Sequence, residues 1–116
     1  MLRMISLVGS LRKDSFNYNL VQTIKERYEE TVEVDFATIG NLALYNQDEE
    51  NNPPEPVLEL KRIIKEADAV LIATPEYNWS IPGVLKNALD WLSRGEKVMN
   101  DKPVLIIGVS AGMLGT

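Results

Sequence analysis

Two short clusters carry most of the chain's capacity for chemistry. The first is "GSLRKDSFN", Gly9 to Asn17. Gly9 permits a tight turn or a close backbone approach. Ser10 and Ser15 bring hydroxyls, and Arg12 brings five donors in a fixed fork. A helix starting just after them adds unpaired N–H groups and the positive end of its dipole. Together these groups suit a phosphate. Leu11 stands where G-x-G-x-x-G needs its second glycine, and the stretch does not fit G-x-x-x-x-G-K-[ST]. The pattern therefore favours a monophosphate over a dinucleotide or triphosphate. The same residues also suit a plain loop that ends in a helix cap, with Ser15 or Asn17 as the capping residue.

The second cluster is "PEYNWS", Pro75 to Ser80. Tyr77 and Trp79 can present apolar faces to a flat ring, while Asn78 and backbone amides meet its polar edge. Alternatively both aromatics pack beneath their own loop. Glu76 is either a general acid or base or, with no paired group beside it, a surface carboxylate. A third stretch, "GVSAG", sets Ser110 in the G-x-S-x-G spacing of a nucleophile elbow, but the chain has no histidine to activate a serine. That excludes the hydrolase.

The lack of histidine and cysteine removes imidazole relays, thiolate nucleophiles, disulfides and the usual zinc ligands. Hydride or electron transfer by a bound cofactor needs neither side chain. The acidic run Asp48, Glu49 and Glu50 reads as a solvated loop rather than a metal site, so no metal is expected. A net charge of −5 argues against nucleic acid or an anionic membrane as partner. The apolar start, Met1 to Gly9, is too short to span a bilayer, and a cytoplasmic location is the default expectation.

The elements that must position these loops follow from periodicity. "LRMISLVG" reads as a strand covered on both faces. A helix is expected from Tyr18, with Leu20, Ile24 and Tyr28 at helical spacing, Val21 beside them and a Lys25–Glu29 surface pair. "TVEVDFATI" alternates, which puts Val32, Val34 and Phe36 on one side of a short strand. Gly40 to Pro56 reads as a long surface loop. "VLELKRIIKEA" predicts a helix facing inward through Leu58, Ile63 and Ala67, with Leu60 and Ile64 close to that face. "DAVLIATP" is a fully apolar strand, and a further helix from about Pro82 buries Val84, Leu85, Ala88, Leu89 and Leu92, with Trp91 in a packing role. "KPVLIIGVSA" is the fourth strand. Alternating strands and helices predict a single α/β domain over residues 1–116, an open parallel sheet with helices on both faces. Ligands bind such sheets beyond the strands' carboxyl ends, where Gly9–Asn17, Pro75–Pro82 and Ser110–Thr116 all emerge. No helix follows the fourth strand, which would leave an open apolar edge.

"GSLRKDSFN", "LYNQDEE" and "PEYNWSIPGVLKNALDW", in this order, resemble the NAD(P)H-dependent FMN reductase family, which includes chromate, azo and quinone reductases. The resemblance covers essentially the whole chain. It implies a flavodoxin-like fold with strand order 2-1-3-4-5 and FMN at the switch point. It implies that Ser10, Arg12, Ser15 and Asn17 surround the FMN phosphate. Pro75, Glu76, Tyr77 and Asn78 would lie beside the isoalloxazine ring, and Ser110 would line the flavin from the third loop. No side chain is assigned as catalytic. NADPH or NADH would reduce the flavin, and a small-molecule acceptor (quinone, azo compound, metal oxyanion or flavin) would then reoxidise it, with ping-pong kinetics. Such proteins typically form dimers or tetramers, with "LYNQ" and the helix near Pro82 at the interface.

One departure is expected to matter. Members of that family continue with another helix, a fifth strand and a last helix, so the domain reads as incomplete at its carboxyl end, a truncated relative. The alternative function is a non-catalytic or degenerate flavodoxin-like module that binds a partner. A receiver domain is excluded, because Gly9 and Ser10, not an acidic pair, follow the first strand.

Overall fold

The structure is a computed structural model that describes residues 1–8, 16–74 and 83–108, with only the backbone of Phe16. Four strands form one sheet: β1 (Leu2–Val8), β2 (Val32–Phe36), β3 (Ala69–Ala73) and β4 (Val104–Ile107). They lie in the order β2-β1-β3-β4, and every neighbouring pair is parallel. Three helices connect them: α1 (Phe16–Arg27), α2 (Glu55–Glu66) and α3 (Gly83–Leu92). This is the expected flavodoxin-like order, as far as its fourth strand.

Strand alternation splits the core into two halves. On one face Ile5 and Leu7 of β1 join Val70 and Ile72 of β3 beneath Leu60 and Ile64 of α2 and Leu85, Ala88 and Leu92 of α3. On the other, Val8, Val34, Leu71 and Ala73 pack with Val21 of α1. With helices on both faces, β3 can be apolar at every position, and all five of its residues are buried. β4 differs. Its Val104, Leu105 and Ile106 are 42%, 51% and 67% exposed.

Three expected stripes shift in detail. In α1 the buried positions are Asn17 and Val21, with Leu20 and Ile24 only half-buried, because the helix begins before Tyr18 and sets its inward face earlier. Tyr28 lies past the end of α1 and is 51% exposed; its carbonyl accepts from Thr31 and Val32 in the turn to β2. Lys25, expected to pair with Glu29, has its ammonium 5.9 Å from the centroid of the Phe36 ring. In α2 the buried residues are Val57, Leu60, Lys61 and Ile64, while Leu58 is exposed. The stripe through Val57 and Lys61 was hidden by the lysine's charge. The long loop before α2 holds one short 3₁₀ turn, Gln47–Glu49, capped by Asn46, whose side-chain oxygen accepts from the Asp48 N–H at 2.9 Å. In α3, Leu85, Ala88 and Leu92 are buried as expected, Val84 and Leu89 are only partly buried, and Trp91 joins the buried set at 1% exposure.

Candidate functional site: the carboxyl edge of the sheet

From β1 the chain turns to β2 on one side, then returns to β3 on the other. The strand order thus reverses between β1 and β3, and in an open parallel sheet ligands usually bind beyond the carboxyl ends at such a point. The register brings those ends level. Val8 pairs with Ala73, Ala73 pairs with Ile107, and the Thr74 N–H donates to the Ile107 carbonyl at 3.0 Å. Val8, Ala73 and Ile107 therefore end their strands side by side.

Most of the expected site residues, Ser10, Arg12, Ser15, Pro75, Glu76, Tyr77, Asn78 and Ser110, lie outside the described residues, as do Trp79 and the Gly9 turn. Asn17 is described. It sits in the first turn of α1 and is 2% exposed. That first turn carries no acidic residue, whereas Lys25 and Arg27 stand in the last turn. Among the described residues of α1, then, no carboxylate competes for the positive end of the dipole. The described residues fit FMN in these respects: a strand-order reversal between β1 and β3, a first turn of α1 without an acidic residue, and a buried amide directly after the serine- and arginine-bearing stretch of sequence.

One buried polar atom lies close by in sequence. Ser6 in β1 is fully buried, and its Oγ has no hydrogen-bond partner among the described residues. By alternation it shares the α1 face with Met4 and Val8.

The segment Ala43–Glu50 forms a strap along α3, which sequence periodicity did not reveal. The Asn87 side chain accepts from the Tyr45 N–H at 2.8 Å and donates to the Ala43 carbonyl at 2.9 Å. One turn later the Trp91 indole N–H donates to the same carbonyl at 2.8 Å. The Tyr45 ring meets that of Trp91 edge-on, with centroids 5.1 Å apart. The Tyr45 hydroxyl donates to Glu50 at 2.5 Å, and this bond to a carboxylate, reinforced by burial, raises the Tyr45 pKa. At the far end Gly95 has φ +61°, and a Cβ there would lie 2.7 Å from the Glu50 carbonyl oxygen. Lys61 supports that crossing from α2. It is 5% exposed, and its ammonium donates to the Arg94 carbonyl at 2.6 Å, just past the end of α3. Burial lowers its pKa, while Glu96 and Glu50 pull it back up. The spacing of Asn87 and Trp91, four apart and so on one helix face, was the available signal for the strap. Lys61 offered none. Of the acidic run, Glu50 is taken up by Tyr45, and Glu49 accepts from the Asn46 amide at 3.4 Å.

Comparison with known proteins decides the family. Residues 2–116 match the NADPH-dependent FMN reductase family. The chain belongs to that family. A 2-hydroxy-1,4-benzoquinone reductase from Burkholderia sp is 49% identical over 117 residues, covering 99% of this chain and 64% of the relative. A quinone reductase from Escherichia coli (strain K12) is 43% identical over 118 residues, covering 98% of this chain and 63% of the relative. Among solved structures, the flavoenzyme NAD(P)H:(acceptor) oxidoreductase FerB from Paracoccus denitrificans superposes with a TM-score of 0.91 at 42% identity, over 98% of this chain and 64% of that one. The chain thus spans a little under two thirds of the length of these relatives. For this FMN reductase family member the four-stranded parallel sheet and its flanking helices are those of the flavodoxin-like fold. Among the described residues no group of acidic side chains is placed to hold a metal, and no helix is long and apolar enough to cross a membrane.

Proposed function

We propose that the chain forms the FMN-binding part of an NAD(P)H-dependent oxidoreductase that delivers electrons to a quinone or another small acceptor. The observation that carries this reading is the strand order β2-β1-β3-β4, with the carboxyl ends of β1, β3 and β4 level and each followed in sequence by a family-matched segment. The names of the relatives add the quinone acceptor.

In this reading Ser10, Arg12, Ser15 and Asn17 hold the phosphate, helped by the first turn of α1, which carries no acidic residue. Pro75, Glu76, Tyr77 and Asn78 orient the ring, and Ser110 closes the site from the third loop. FMN, when bound, supplies hydride acceptance from NADPH or NADH and onward electron transfer. The polypeptide supplies orientation, a surface for the nicotinamide and then the acceptor, and exclusion of competing reactions. No imidazole or thiol is required, which agrees with a chain that has neither. The working protein is a cytoplasmic homo-oligomer, a dimer or tetramer, acting as a single domain.

The exposed apolar positions Val104, Leu105 and Ile106 favour a second reading, a flavodoxin-like module that binds a partner without turnover. Steady-state oxidation of NADH and NADPH with a benzoquinone acceptor separates the two. Parallel double-reciprocal lines, at rates above the free-FMN background, are expected of the reductase. Rates equal to that background at every chain concentration would favour the module.

A further inference from the structure

We propose that Asn87 is a positioning residue for the flavin site: it fixes the start of α3 against the strap, and α3 begins directly after the family-matched stretch of sequence 75–82. This rests on the FMN reading above.

Leu85 and Ala88 hold α3 to the sheet through apolar contacts alone, and such contacts have no direction. A helix held only in that way can rotate or slide. Asn87 removes that freedom. Its oxygen accepts from the Tyr45 N–H and its nitrogen donates to the Ala43 carbonyl, so both ends of the amide are used in one orientation. Flipping the amide would set oxygen against oxygen and N–H against N–H. Trp91 repeats the grip one turn on. A slip of α3 by one turn, about 5.4 Å, would break all three bonds.

The strap is itself fixed. Ile39 is buried before it, Leu42 packs on the core, and Tyr45 is tied to Glu50 beside Gly95. Asn87 stands one turn into α3, whose first residue, Gly83, directly follows the segment bearing Pro75 to Asn78. Losing the Asn87 amide leaves the Trp91 grip intact farther along, so the helix stays folded while its start loses its register.

The test uses the full chain with Asn87→Ala, and Ile64→Val as a control that weakens the α2 core without touching the strap. FMN affinity, thermal stability and amide hydrogen exchange are measured on each. Asn87→Ala is expected to weaken FMN binding about tenfold, while Ile64→Val changes it by less than about twofold at a comparable loss of melting temperature. Equal shifts in the two variants, or no shift in Asn87→Ala, would overturn the proposal, since a merely structural role predicts that. Should Asn87→Ala fail to fold, Asn87→Ser, which keeps a small polar group without placing a charge against the Ala43 carbonyl, is read in its place and is expected to show the same selective loss of FMN affinity; a shift no larger than that of Ile64→Val would overturn the proposal. Hydrogen exchange without FMN separates the proposal from the reading beneath it. If the wild type does not bind FMN, faster exchange at residues 87–90 and at Tyr45 in Asn87→Ala, but not in Ile64→Val, upholds the positioning of α3; unchanged exchange overturns it.

Discussion

The Trp91 indole N–H donates to the Ala43 carbonyl at 2.8 Å, across 48 residues of sequence, and the same carbonyl accepts from Asn87. Two side chains on one face of α3 thereby share one backbone acceptor in the strap. Trp91→Phe removes one donor and keeps most of the ring, so Ala43 stays satisfied by Asn87. It should cost about 1–2 kcal/mol, against about 3–5 kcal/mol for Trp91→Ala, which also empties a fully buried site. Urea unfolding of both variants checks the ordering. Equal losses would mean that the ring contributes little beyond its N–H.

Gly95 permits the close crossing of the strap and the carboxyl end of α3. With φ at +61° and a Cβ position 2.7 Å from the Glu50 carbonyl oxygen, Gly95→Ala is strained in conformation and in contact. The oxygen belongs to backbone, which cannot swing aside like a side-chain tip. A loss of about 2 kcal/mol or more is expected in denaturant unfolding. Lys61, which reaches the neighbouring Arg94 carbonyl, should lose protection in the same variant.

The bond between Tyr45 and Glu50 gives a pH dependence of defined sign. The hydrogen bond to the Glu50 carboxylate raises the folded-state pKa of Tyr45 above its unfolded value, so the stabilisation is fully present below the unfolded pKa. It is lost as pH rises through the higher folded value. Lys61 runs the other way: burial lowers its folded pKa, so its penalty is relieved as pH climbs through that lowered value. Absorbance titration of tyrosinate should show one of the four tyrosines ionising late, and Tyr45→Phe should remove that step. A late step that survives Tyr45→Phe would assign it to another tyrosine.

Ser6 offers a prediction of opposite direction. Its hydroxyl is fully buried in β1 without a partner among the described residues. Ser6→Ala removes a desolvated polar group and little volume, so stability should be unchanged or rise by up to about 1 kcal/mol. A clear loss in thermal or urea unfolding would reveal that the hydroxyl is bonded in solution.

The fold was legible because its strands are unambiguous. Every residue from Ala69 to Ala73 is apolar, as a strand covered on both faces requires, and the alternation at Val32, Val34 and Phe36 marks an edge. The inward face of α2 was less legible, because Lys61 occupies a buried position and only the Arg94 carbonyl makes that tolerable. The strap was hidden for a different reason. Its bonds join Ala43 and Tyr45 to side chains more than 40 residues away, and no local period reports a contact of that span. Asn17, assigned to the phosphate by the family resemblance, lies buried in the first turn of α1. The other site residues rest on their match to the family.

FMN binding by the purified chain is the measurement on which the functional reading stands, followed in the visible absorbance spectrum as FMN is titrated in. The expected result is a resolved, shifted flavin spectrum that saturates at one FMN per chain, with Arg12→Ala weakening the affinity by about 1–3 kcal/mol through loss of a charge-assisted bond to the phosphate. A spectrum identical to that of free FMN at every ratio would contradict it.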